Sequence, residues 1–573
     1  MIVSSESSSI VIISNNYNYQ YKELVQSDVE KKNKMSFFEA KTNTVAHIFE
    51  SSSIKIDNYS MGIPELMNYL KFGDDWYKKN PTLLYDTQNS PTLNGIFLTQ
   101  YLRKNGINSE IIDNFQCEKN KLNQLLENGI RYLIISTTFI TDVKPIVEIC
   151  DFVKERDRQV KIIVGGPLIY NALNSESVLW SSNVKKILTT LRGRADYFIN
   201  NRKGEKTLVT VLQNLMSEHN VFEIPNIIYY KDDGEYVYTD IVEEDGVIDD
   251  ITLDYSQVAN IDKERYLSLI TSRGCVFKCN FCNYHENFPK VELKSIEVLK
   301  KELESLPKSE FKRMIRLADD NFAISEKRLV EFCQLVIRGG YNFNWSCFAS
   351  HHSMMKIENV QFMAEAGCKL VFIGIESAND SILKAMNKKV TVEDFRKVIH
   401  NLKECNIKVI GSFVIGYPGE NEETIENNIK FINDSGLDYY QLNLFNVMPS
   451  MQVYKQRYDY RLKGFMYGWE HGTMDSIKAA ESMIHIVSSV ETALTCGISD
   501  SSVQGTLEYL YSIGLEENKI EKMFQYYTCL LKENLKNKNE KSSIKDNVNL
   551  KKFAELVLDM QNNKSTQEKG VYI

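Results

Sequence analysis

Long apolar runs and an excess of positive charge are both missing from this sequence. None of the 573 residues belongs to a stretch of 18 consecutive apolar residues, so no segment is predicted to span a membrane. The first residues, MIVSSESSSIVIISNN, lack a cationic start followed by a long apolar run and are not predicted to be a signal peptide. The formal net charge of −8 argues against a nucleic-acid partner. We therefore expect a cytoplasmic protein that binds neither membrane nor nucleic acid.

What the chain does contain is typical of a large globular protein. Hydrophobic residues make up 43% of it and charged residues 25%. The length allows about three or four domains. There are eleven cysteines, an odd number, and most lie singly in amphipathic segments. In a chain without a signal peptide these thiols are expected to stay reduced, so a cluster of cysteines points to chemistry and not to disulfides.

The N-terminal half predicts a doubly wound α/β domain. Residues 1–78 are rich in Ser, Asn and Lys and are predicted to form a poorly ordered arm followed by a short helical cap. Between 79 and 225, short apolar runs alternate with amphipathic segments that end at glycines, which is the pattern of a parallel sheet covered by helices. The predicted strands are 81–86, 109–115, 131–137, 161–166 and 195–200.

A second α/β region follows an acidic segment, 226–262, that is predicted to be a hairpin and linker. In 263–450 each gap between apolar runs holds a helix-like segment, so a six-stranded parallel barrel is predicted, with its active site at the carboxyl ends of the strands. Residues 451–573 are predicted to be helical and to end in a frayed tail. The six predicted barrel strands are 267–272, 313–318, 344–349, 369–376, 408–416 and 439–447.

One cysteine motif lies directly after the first predicted barrel strand. The segment TSRGCVFKCNFCNY places Cys275, Cys279 and Cys282 at spacing C-x3-C-x2-C. Three thiolates on one short loop can bind three corners of a 4Fe–4S cluster and leave the fourth iron open to a small molecule. The alternative is structural zinc in a Cys3His site completed by His285. A zinc knuckle usually forms a small module of its own, so the position after a barrel strand favours the cluster.

These residues resemble the signature of the radical S-adenosylmethionine (SAM) superfamily, C-x3-C-x-aromatic-C, with Phe281 in the aromatic position. The resemblance covers roughly 265–450 and implies a (β/α)6 partial TIM barrel. It also implies that SAM chelates the open iron. Reduction by an external flavodoxin- or ferredoxin-type donor then gives a 5′-deoxyadenosyl radical that abstracts hydrogen from an unactivated position.

Further segments at predicted strand ends fit the same superfamily. LADDNF offers Asp319 and Asp320 for the methionine amino group, and GIESAND offers Glu376 for the ribose hydroxyls. GYPGENEETI, with Gly416 and Pro418, resembles the turn on the adenine side. Each has an ordinary alternative, since the aspartates can be surface or capping carboxylates, Glu376 a helix-cap partner, and GYPGE a simple strand-to-helix turn.

Ser350 departs from the superfamily pattern. Members often carry an arginine near this position, so the resemblance leaves binding of the SAM carboxylate there in doubt.

The N-terminal α/β region resembles the Rossmann-like cobalamin-binding domain found upstream of some radical SAM enzymes. The matching segments are SPTLNGIFLTQYLRKNG, STTFITD, IVGGP and ADYFINNRKGEKTL. Glycines allow the backbone to approach a flat macrocycle or its nucleotide tail, and threonine hydroxyls can hydrogen-bond that tail. The alternative is a doubly wound domain without a cofactor. The residues that the resemblance assigns to cobalamin are Asn94, Thr137, Thr138, Gly165, Gly166 and Pro167.

Histidine is absent from the part of the chain that would bind cobalamin. The eight histidines lie at 47, 219, 285, 351, 352, 400, 471 and 485, none of them between 80 and 218. Classical cobalamin mutases supply a histidine to cobalt from a D-x-H-x-x-G loop. This region offers none, as in the cobalamin-dependent (class B) radical SAM enzymes.

The resemblance implies methylation of an unactivated carbon of a peptide or natural-product intermediate, with methylcobalamin as the methyl donor. A rearrangement or cyclisation without methylation is the alternative within the superfamily, and a zinc-binding structural or sensory protein is the alternative outside it. Near the end of the barrel, FMYGWEHGTMDSIKAAE offers Trp469 and His471 as catalytic candidates that close over substrate. The same segment also reads as an ordinary helix start capped by Asp475.

Overall fold

The structure is a computed structural model that describes residues 9–16, 37–56, 59–80, 87, 90–140, 142–173, 187–231, 234–246, 248–322, 324–498, 502–536 and 547–560. The predicted strand at 81–86 and the predicted frayed tail beyond 560 lie outside these ranges. The chain divides into two compact units. The N-terminal unit comprises Met1–Tyr19, Gln88–Lys263 and Glu292–Lys308, and the C-terminal unit comprises Gln20–Thr87, Glu264–Val291 and Ser309–Ile573.

The strands, numbered along the chain, are β1 Ile10–Ile13, β2 Ile54–Ile56, β3 Tyr59–Met61, β4 Glu110–Ile112, β5 Tyr132–Ser136, β6 Lys161–Gly165, β7 Tyr197–Ile199, β8 Ile227–Tyr230, β9 Tyr236–Tyr238, β10 Tyr266–Leu269, β11 Ser272–Arg273, β12 Glu292–Leu293, β13 Arg313–Leu317, β14 Phe343–Phe348, β15 Cys368–Glu376, β16 Lys408–Ile415, β17 Tyr439–Leu444, β18 Lys463–Phe465, β19 Gly468–Glu470 and β20 Leu494–Ile498.

The α-helices are α1 Phe37–Ser52, α2 Ile63–Phe72, α3 Asp74–Lys79, α4 Leu93–Lys104, α5 Lys119–Glu127, α6 Val143–Arg156, α7 Pro167–Leu173, α8 Glu205–Met216, α9 Tyr284–Asn287, α10 Ile296–Glu304, α11 Glu326–Gly339, α12 Ile357–Glu365, α13 Asp380–Ala385, α14 Val392–Glu404, α15 Glu422–Asp434, α16 Gln452–Lys455, α17 Ser476–Ser489, α18 Ser502–Ser512, α19 Glu517–Lys536 and α20 Val548–Asp559.

A seven-stranded sheet organises the N-terminal unit in the order β4-β1-β5-β6-β7-β8-β9. The first five strands are parallel, and β8 and β9 extend the sheet as an antiparallel hairpin. Parallel strands covered on both faces are continuously apolar, and every residue of β1 is buried. The doubly wound domain predicted from the sequence is therefore present.

Strand β1 shows that one prediction for the N-terminal arm was wrong. Ile10–Ile13 was predicted to lie in a poorly ordered arm, but it pairs with β4 on one side and β5 on the other. These partners lie about a hundred residues further along the chain, so a local reading of four apolar residues behind a serine-rich stretch does not reveal them. The predicted linker is also shortened, since β8 and β9 belong to the sheet.

A second seven-stranded sheet forms the framework of the C-terminal unit. Its order is β10-β13-β14-β15-β16-β17-β20, and all neighbouring pairs are parallel. The six predicted barrel strands are all present. Three further strands, β18, β19 and β20, lie where only helices were predicted, and β20 joins the sheet beside β17. The run LTCGI that forms β20 is short and lies among helical segments, which hides it from periodicity.

The helices between these strands follow from local sequence. In α14 the side chains of Phe395, Val398, Ile399 and Leu402 recur at helical spacing and are buried. Thr391 caps the helix, and its side chain and that of Asp394 bind each other's backbone N–H groups. Helix α15 begins with the same arrangement at Asn421 and Thr424. No helix in the described ranges is both long enough and apolar enough to cross a bilayer.

Candidate active site

The three motif cysteines lie on one loop after β10 and β11 and before α9 in the C-terminal unit. Gly274 precedes the loop with φ +98°, and a Cβ there would come within 2.8 Å of the Lys290 carbonyl oxygen. This turn therefore requires glycine. Cys275, Cys279 and Cys282 are free and partly exposed.

The donor set of this loop fits a 4Fe–4S cluster with one open iron. Burial raises the pKa of the Cys279 thiol to about 12 and also raises the pKa values of Cys275 and Cys282, so ligation must release protons. In the described part of the chain, no group of three or more His, Cys, Asp or Glu side chains is already closed around a metal position. The observation that fits a 4Fe–4S cluster is the presence of three free thiols within eight residues of one loop. His285, the fourth ligand of the zinc alternative, has Nε2 at 3.5 Å from Glu286 Oε1.

Hydrogen bonds to backbone carbonyl oxygens hold the middle of the cysteine loop in place. Asn280 N donates to Met386 O at 2.9 Å, and Asn280 Nδ2 donates to Ala385 O at 2.8 Å. Asn387 Nδ2 donates to Lys278 O at 2.7 Å. The segment that follows helix α13 thus supports the loop. These residues were not predicted as part of the site, and their signal in the sequence is limited to two asparagines at turn positions.

The two candidate aspartates after β13 differ in their surroundings. Asp319 is buried and accepts bonds of 2.6 Å from Thr271 N, Thr271 Oγ1 and Ser272 Oγ, between β10 and the cysteine loop. Its carboxylate is thus occupied in tying β13 to the start of the cysteine loop. Asp320 is exposed. Desolvation of its carboxyl raises its pKa to about 6, although hydrogen bonds with Tyr284 and the Gly274 backbone oppose this rise. Of the two carboxylates, that of Asp320 is the more accessible to a ligand.

Ser350 has a buried hydroxyl without a hydrogen-bond partner. Its backbone N–H donates to Asn321 Oδ1 at 2.8 Å, and Asn321 Nδ2 is likewise buried and unpaired. Buried polar groups are nearly always hydrogen-bonded, so these two atoms fit a polar ligand at the ends of β13 and β14. This supports a binding role for Ser350 without the arginine common in the superfamily, and Asn321 is a residue that the sequence analysis missed.

Glu376 ends β15 in the left-handed backbone region, with φ +68°. Its Oε1 accepts a bond of 3.0 Å from Lys388 Nζ, which also donates to the Gly374 carbonyl oxygen. Glu376 is therefore an ion-paired residue at the strand end and not a helix cap. Lys388 was not identified from the sequence.

The GYPGE turn after β16 is enclosed by the C-terminal segment. Gly416 has φ +96°, and a Cβ there would meet the Trp469 ring at 2.5 Å. Trp469 is fully buried and donates from Nε1 to Phe445 O at 2.7 Å, and its ring stacks on His471 with centroids 5.1 Å apart. His471 Nε2 lies 3.0 Å from Gly416 O. These contacts hold the turn in place, while the catalytic roles of the two rings stay a prediction.

Pro418 is buried in the turn, and Phe281 is half-buried on the cysteine loop.

In the N-terminal unit, the glycine turn after β6 packs closely against Thr137, which follows β5. Gly166 has φ +111°, and a Cβ there would lie 2.8 Å from Thr137 Oγ1. Thr137 is buried and its hydroxyl accepts from Leu168 N at 3.2 Å, so it holds the start of α7. Thr138 and Pro167 are exposed. Thr138 is therefore the more accessible of the two threonine hydroxyls, and Gly165 supplies the carbonyl that accepts from Thr137 N at 2.8 Å.

Polar side chains gather at the carboxyl end of β1 in the same unit. Asn94 Nδ2 donates to Ser14 O at 3.3 Å and to Ser136 Oγ at 3.1 Å, while Asn94 Oδ1 is buried without a partner. Asn15 Nδ2 is also buried and unpaired. These atoms fit the amide-rich periphery of a corrin or its tail. Ser14 and Asn15 were missed because their strand was not recognised.

Comparison with known proteins identifies the family of part of the chain and relatives of its fold. Residues 269–432 match the family model described as the Radical SAM superfamily. An uncharacterised methyltransferase of Pyrococcus horikoshii is 30% identical over 188 residues, which cover 33% of this chain and 41% of that protein. The bacteriochlorophyllide d C-8(2)-methyltransferase of Chlorobaculum tepidum is 26% identical over 230 residues, which cover 37% of this chain and 50% of the relative. The chain thus spans half or less of the length of these relatives.

Two solved structures share the fold over most of the chain. TsrM from Kitasatospora setae, a radical SAM methyltransferase, superposes with a TM-score of 0.51 at 13% identity and covers 78% of this chain and 75% of its own. OxsB, a cobalamin-dependent radical SAM enzyme, gives a TM-score of 0.55 at 15% identity over 83% of this chain and 78% of its own. The match of residues 269–432 to the radical SAM superfamily model favours a 4Fe–4S cluster and SAM at the cysteine loop over the zinc alternative. The fold of the chain is that of TsrM and OxsB.

Proposed function

We propose that this protein is a cobalamin-dependent radical SAM methyltransferase that methylates an unactivated carbon of a peptide or natural-product intermediate. The observation that carries the proposal is the combination of two units in one chain. One is a parallel sheet with three free cysteines after its first strand, and the other is a doubly wound sheet with unpaired polar atoms at its strand ends. Relatives named as methyltransferases support the reaction class.

The residues of the C-terminal unit would bind and orient the reactants. Cys275, Cys279 and Cys282 would hold the cluster, which supplies the electron for SAM cleavage once an external flavodoxin- or ferredoxin-type protein has reduced it. Asp320 would accept from the methionine amino group, and the buried Ser350 hydroxyl would bind a neighbouring polar group of SAM. Asp319 would keep the loop and the second strand together.

The residues of the N-terminal unit would hold cobalamin without a histidine ligand. Gly166 allows the backbone to lie close to the cofactor, while Thr138, Asn94 and Asn15 offer exposed or unpaired polar groups to its amides and tail. Cobalamin supplies a methyl carrier to this chemistry when bound.

A non-methylating radical reaction is the second candidate function. Two anaerobic magnesium-protoporphyrin IX monomethyl ester cyclases, from Rubrivivax gelatinosus and Cereibacter sphaeroides, are 24% and 25% identical to this chain over 267 and 191 residues. Their similarity to this chain shows that a related sequence need not methylate.

The test is anaerobic purification and reconstitution of the full chain, followed by assays for iron, sulfide, cobalamin and SAM products. We expect about four irons and one cobalamin per chain, and both S-adenosylhomocysteine and 5′-deoxyadenosine when a substrate-containing extract is supplied. The substrate would be found as a mass gain of one CH2 in that extract. Formation of 5′-deoxyadenosine alone, with no methylated product, would favour the second candidate, and a zinc-loaded protein without iron would refute both.

A further inference from the structure

Lys388 links two parts of the candidate site. It lies at the end of the segment Ala385–Lys388, here called the clasp, which begins at the last residue of helix α13. Lys388 Nζ donates to the Gly374 carbonyl oxygen and, at 3.0 Å, to Glu376 Oε1. Both side chains of the ion pair are largely buried, with 15% of the lysine and 11% of the glutamate exposed. A partly buried charge-assisted bond of this kind holds its partners more firmly than a surface pair does.

Glu376 has an unusual backbone conformation, and its side chain is folded back over its own strand. Its φ of +68° is unusual for a residue with a side chain, and the register against β16 shifts between Gly374 and Glu376. A Cβ on Gly374 would lie 2.2 Å from Glu376 Oε1 and 3.1 Å from Lys388 Nζ. The carboxylate is therefore folded back over Gly374, in space that exists because this residue is glycine.

The other residues of the clasp hold the cysteine loop. Met386 O accepts from Asn280 N at 2.9 Å, and Asn387 Nδ2 donates to Lys278 O at 2.7 Å. Consecutive residues of one short segment thus bind the cysteine loop and the Glu376 carboxylate. Because the segment is short and hydrogen-bonded at both ends, it fixes the position of the carboxylate relative to the cysteine loop.

We propose that Lys388 is a positioning residue that holds Glu376 in place to receive the nucleoside hydroxyls of SAM while the same clasp holds the cysteine loop. This inference rests on the proposed binding of SAM at that loop. One ligand that binds the loop through its amino acid end and Glu376 through its ribose requires a fixed spacing between the two. The clasp supplies that spacing, so removing the lysine weakens SAM binding without removing a ligand of the cluster.

The test measures SAM affinity in the anaerobically reconstituted full chain for Lys388→Met, Lys388→Arg, Gly374→Ala and Lys389→Met. We expect Lys388→Met to raise the Kd for SAM at least about tenfold, since a charge-assisted hydrogen bond is lost. Lys388→Arg should recover most of the affinity. Gly374→Ala should weaken binding with the lysine intact, because its Cβ occupies the place of the carboxylate. Lys389 is exposed, and Lys389→Met is the matched control.

Two further measurements separate the outcomes. Iron content and the electron paramagnetic resonance signal of the reduced cluster without SAM should equal the wild type in every variant, while the change in that signal on adding SAM should shrink in Lys388→Met and Gly374→Ala. An unchanged Kd in both variants would overturn the inference alone. Loss of iron from both would assign the clasp to loop folding and would also overturn it. A wild-type protein that holds its cluster but binds no SAM would overturn the proposed function itself.

Discussion

Replacing Glu420 by glutamine should alter the pH dependence of stability in a predictable direction. Glu420 is the last residue of the GYPGE turn and is fully buried, and its Oε2 accepts from Gly416 N at 2.6 Å and Tyr417 N at 3.1 Å. Burial raises the pKa of this carboxyl from 4.5 to about 7, and the two backbone donors only partly oppose the effect. The native state therefore keeps a proton here at pH values where the unfolded chain has lost it.

The direction in which stability changes with pH follows from the difference in proton binding between the native and the unfolded state. Because the native carboxyl binds its proton more tightly than the unfolded one, the stability that this group contributes falls as pH rises from about 4.5 to about 7 and is constant above that range. A shift of this size corresponds to about 3 kcal/mol. A glutamine can still accept from the backbone donors through its oxygen and carries no charge. Relative to the wild type, Glu420→Gln should therefore gain up to about 3 kcal/mol between pH 5 and pH 8.

The assay is denaturant unfolding of the cofactor-free full chain at pH 5, 6, 7 and 8, monitored by near-ultraviolet circular dichroism. Glu422→Gln is the matched control, since Glu422 is exposed two residues further on and its ion pair with Lys478 is at the surface. A difference between Glu420→Gln and the wild type that is the same at pH 5 and pH 8 would refute the reasoning. A difference that shrinks as pH rises would show that the pKa is lowered instead.

Three further results are expected. Cys279→Ala should abolish formation of 5′-deoxyadenosine and leave cobalamin content unchanged; retained cleavage of SAM would contradict the role of this thiol. Gly166→Val should lower cobalamin retention without lowering iron content, because its Cβ meets Thr137 Oγ1 at 2.8 Å and φ is +111°; an unchanged corrin spectrum would contradict the pocket. Asp319→Ala should destabilise the C-terminal unit by about 2–6 kcal/mol in thermal unfolding, since it leaves two buried hydroxyls, those of Thr271 and Ser272, unpaired at about 1–3 kcal/mol each; a loss below about 1 kcal/mol would show that these hydroxyls find other partners.

The sequence predicts those parts of the fold whose partners are local. All six barrel strands were found because each alternates with an amphipathic helix that has its own caps, as at Thr391 and Asn421. Strands β1 and β20 were missed for the opposite reason. Each is a run of four or five residues whose place in a sheet depends on strands far away in the chain, and such pairing leaves no periodic signal.

The residues of the candidate site also differ in how far the sequence reveals them. Cys275, Cys279 and Cys282 are recognisable because their spacing on one loop is itself the chemical requirement. Asn321 and Lys388 are not, since an unpaired amide and a lysine beside a glutamate become meaningful only when strand ends from different parts of the chain meet. Asp319 shows the converse, because its place in a strand-end motif gives no sign that its carboxylate is already occupied.

Both ring nitrogens of His471 take part in hydrogen bonds around the GYPGE turn. Its Nδ1 accepts from Thr473 Oγ1 at 3.2 Å, and Thr473 Oγ1 in turn accepts from Gly419 N at 3.2 Å. Nε2 must then carry the proton and donate to Gly416 O, which closes a ring of bonds across the turn. Burial lowers the pKa of this histidine, in keeping with a neutral imidazole. A ring with both nitrogens occupied cannot take a proton from a substrate without opening that turn, so the geometry favours a role for His471 in holding the GYPGE turn.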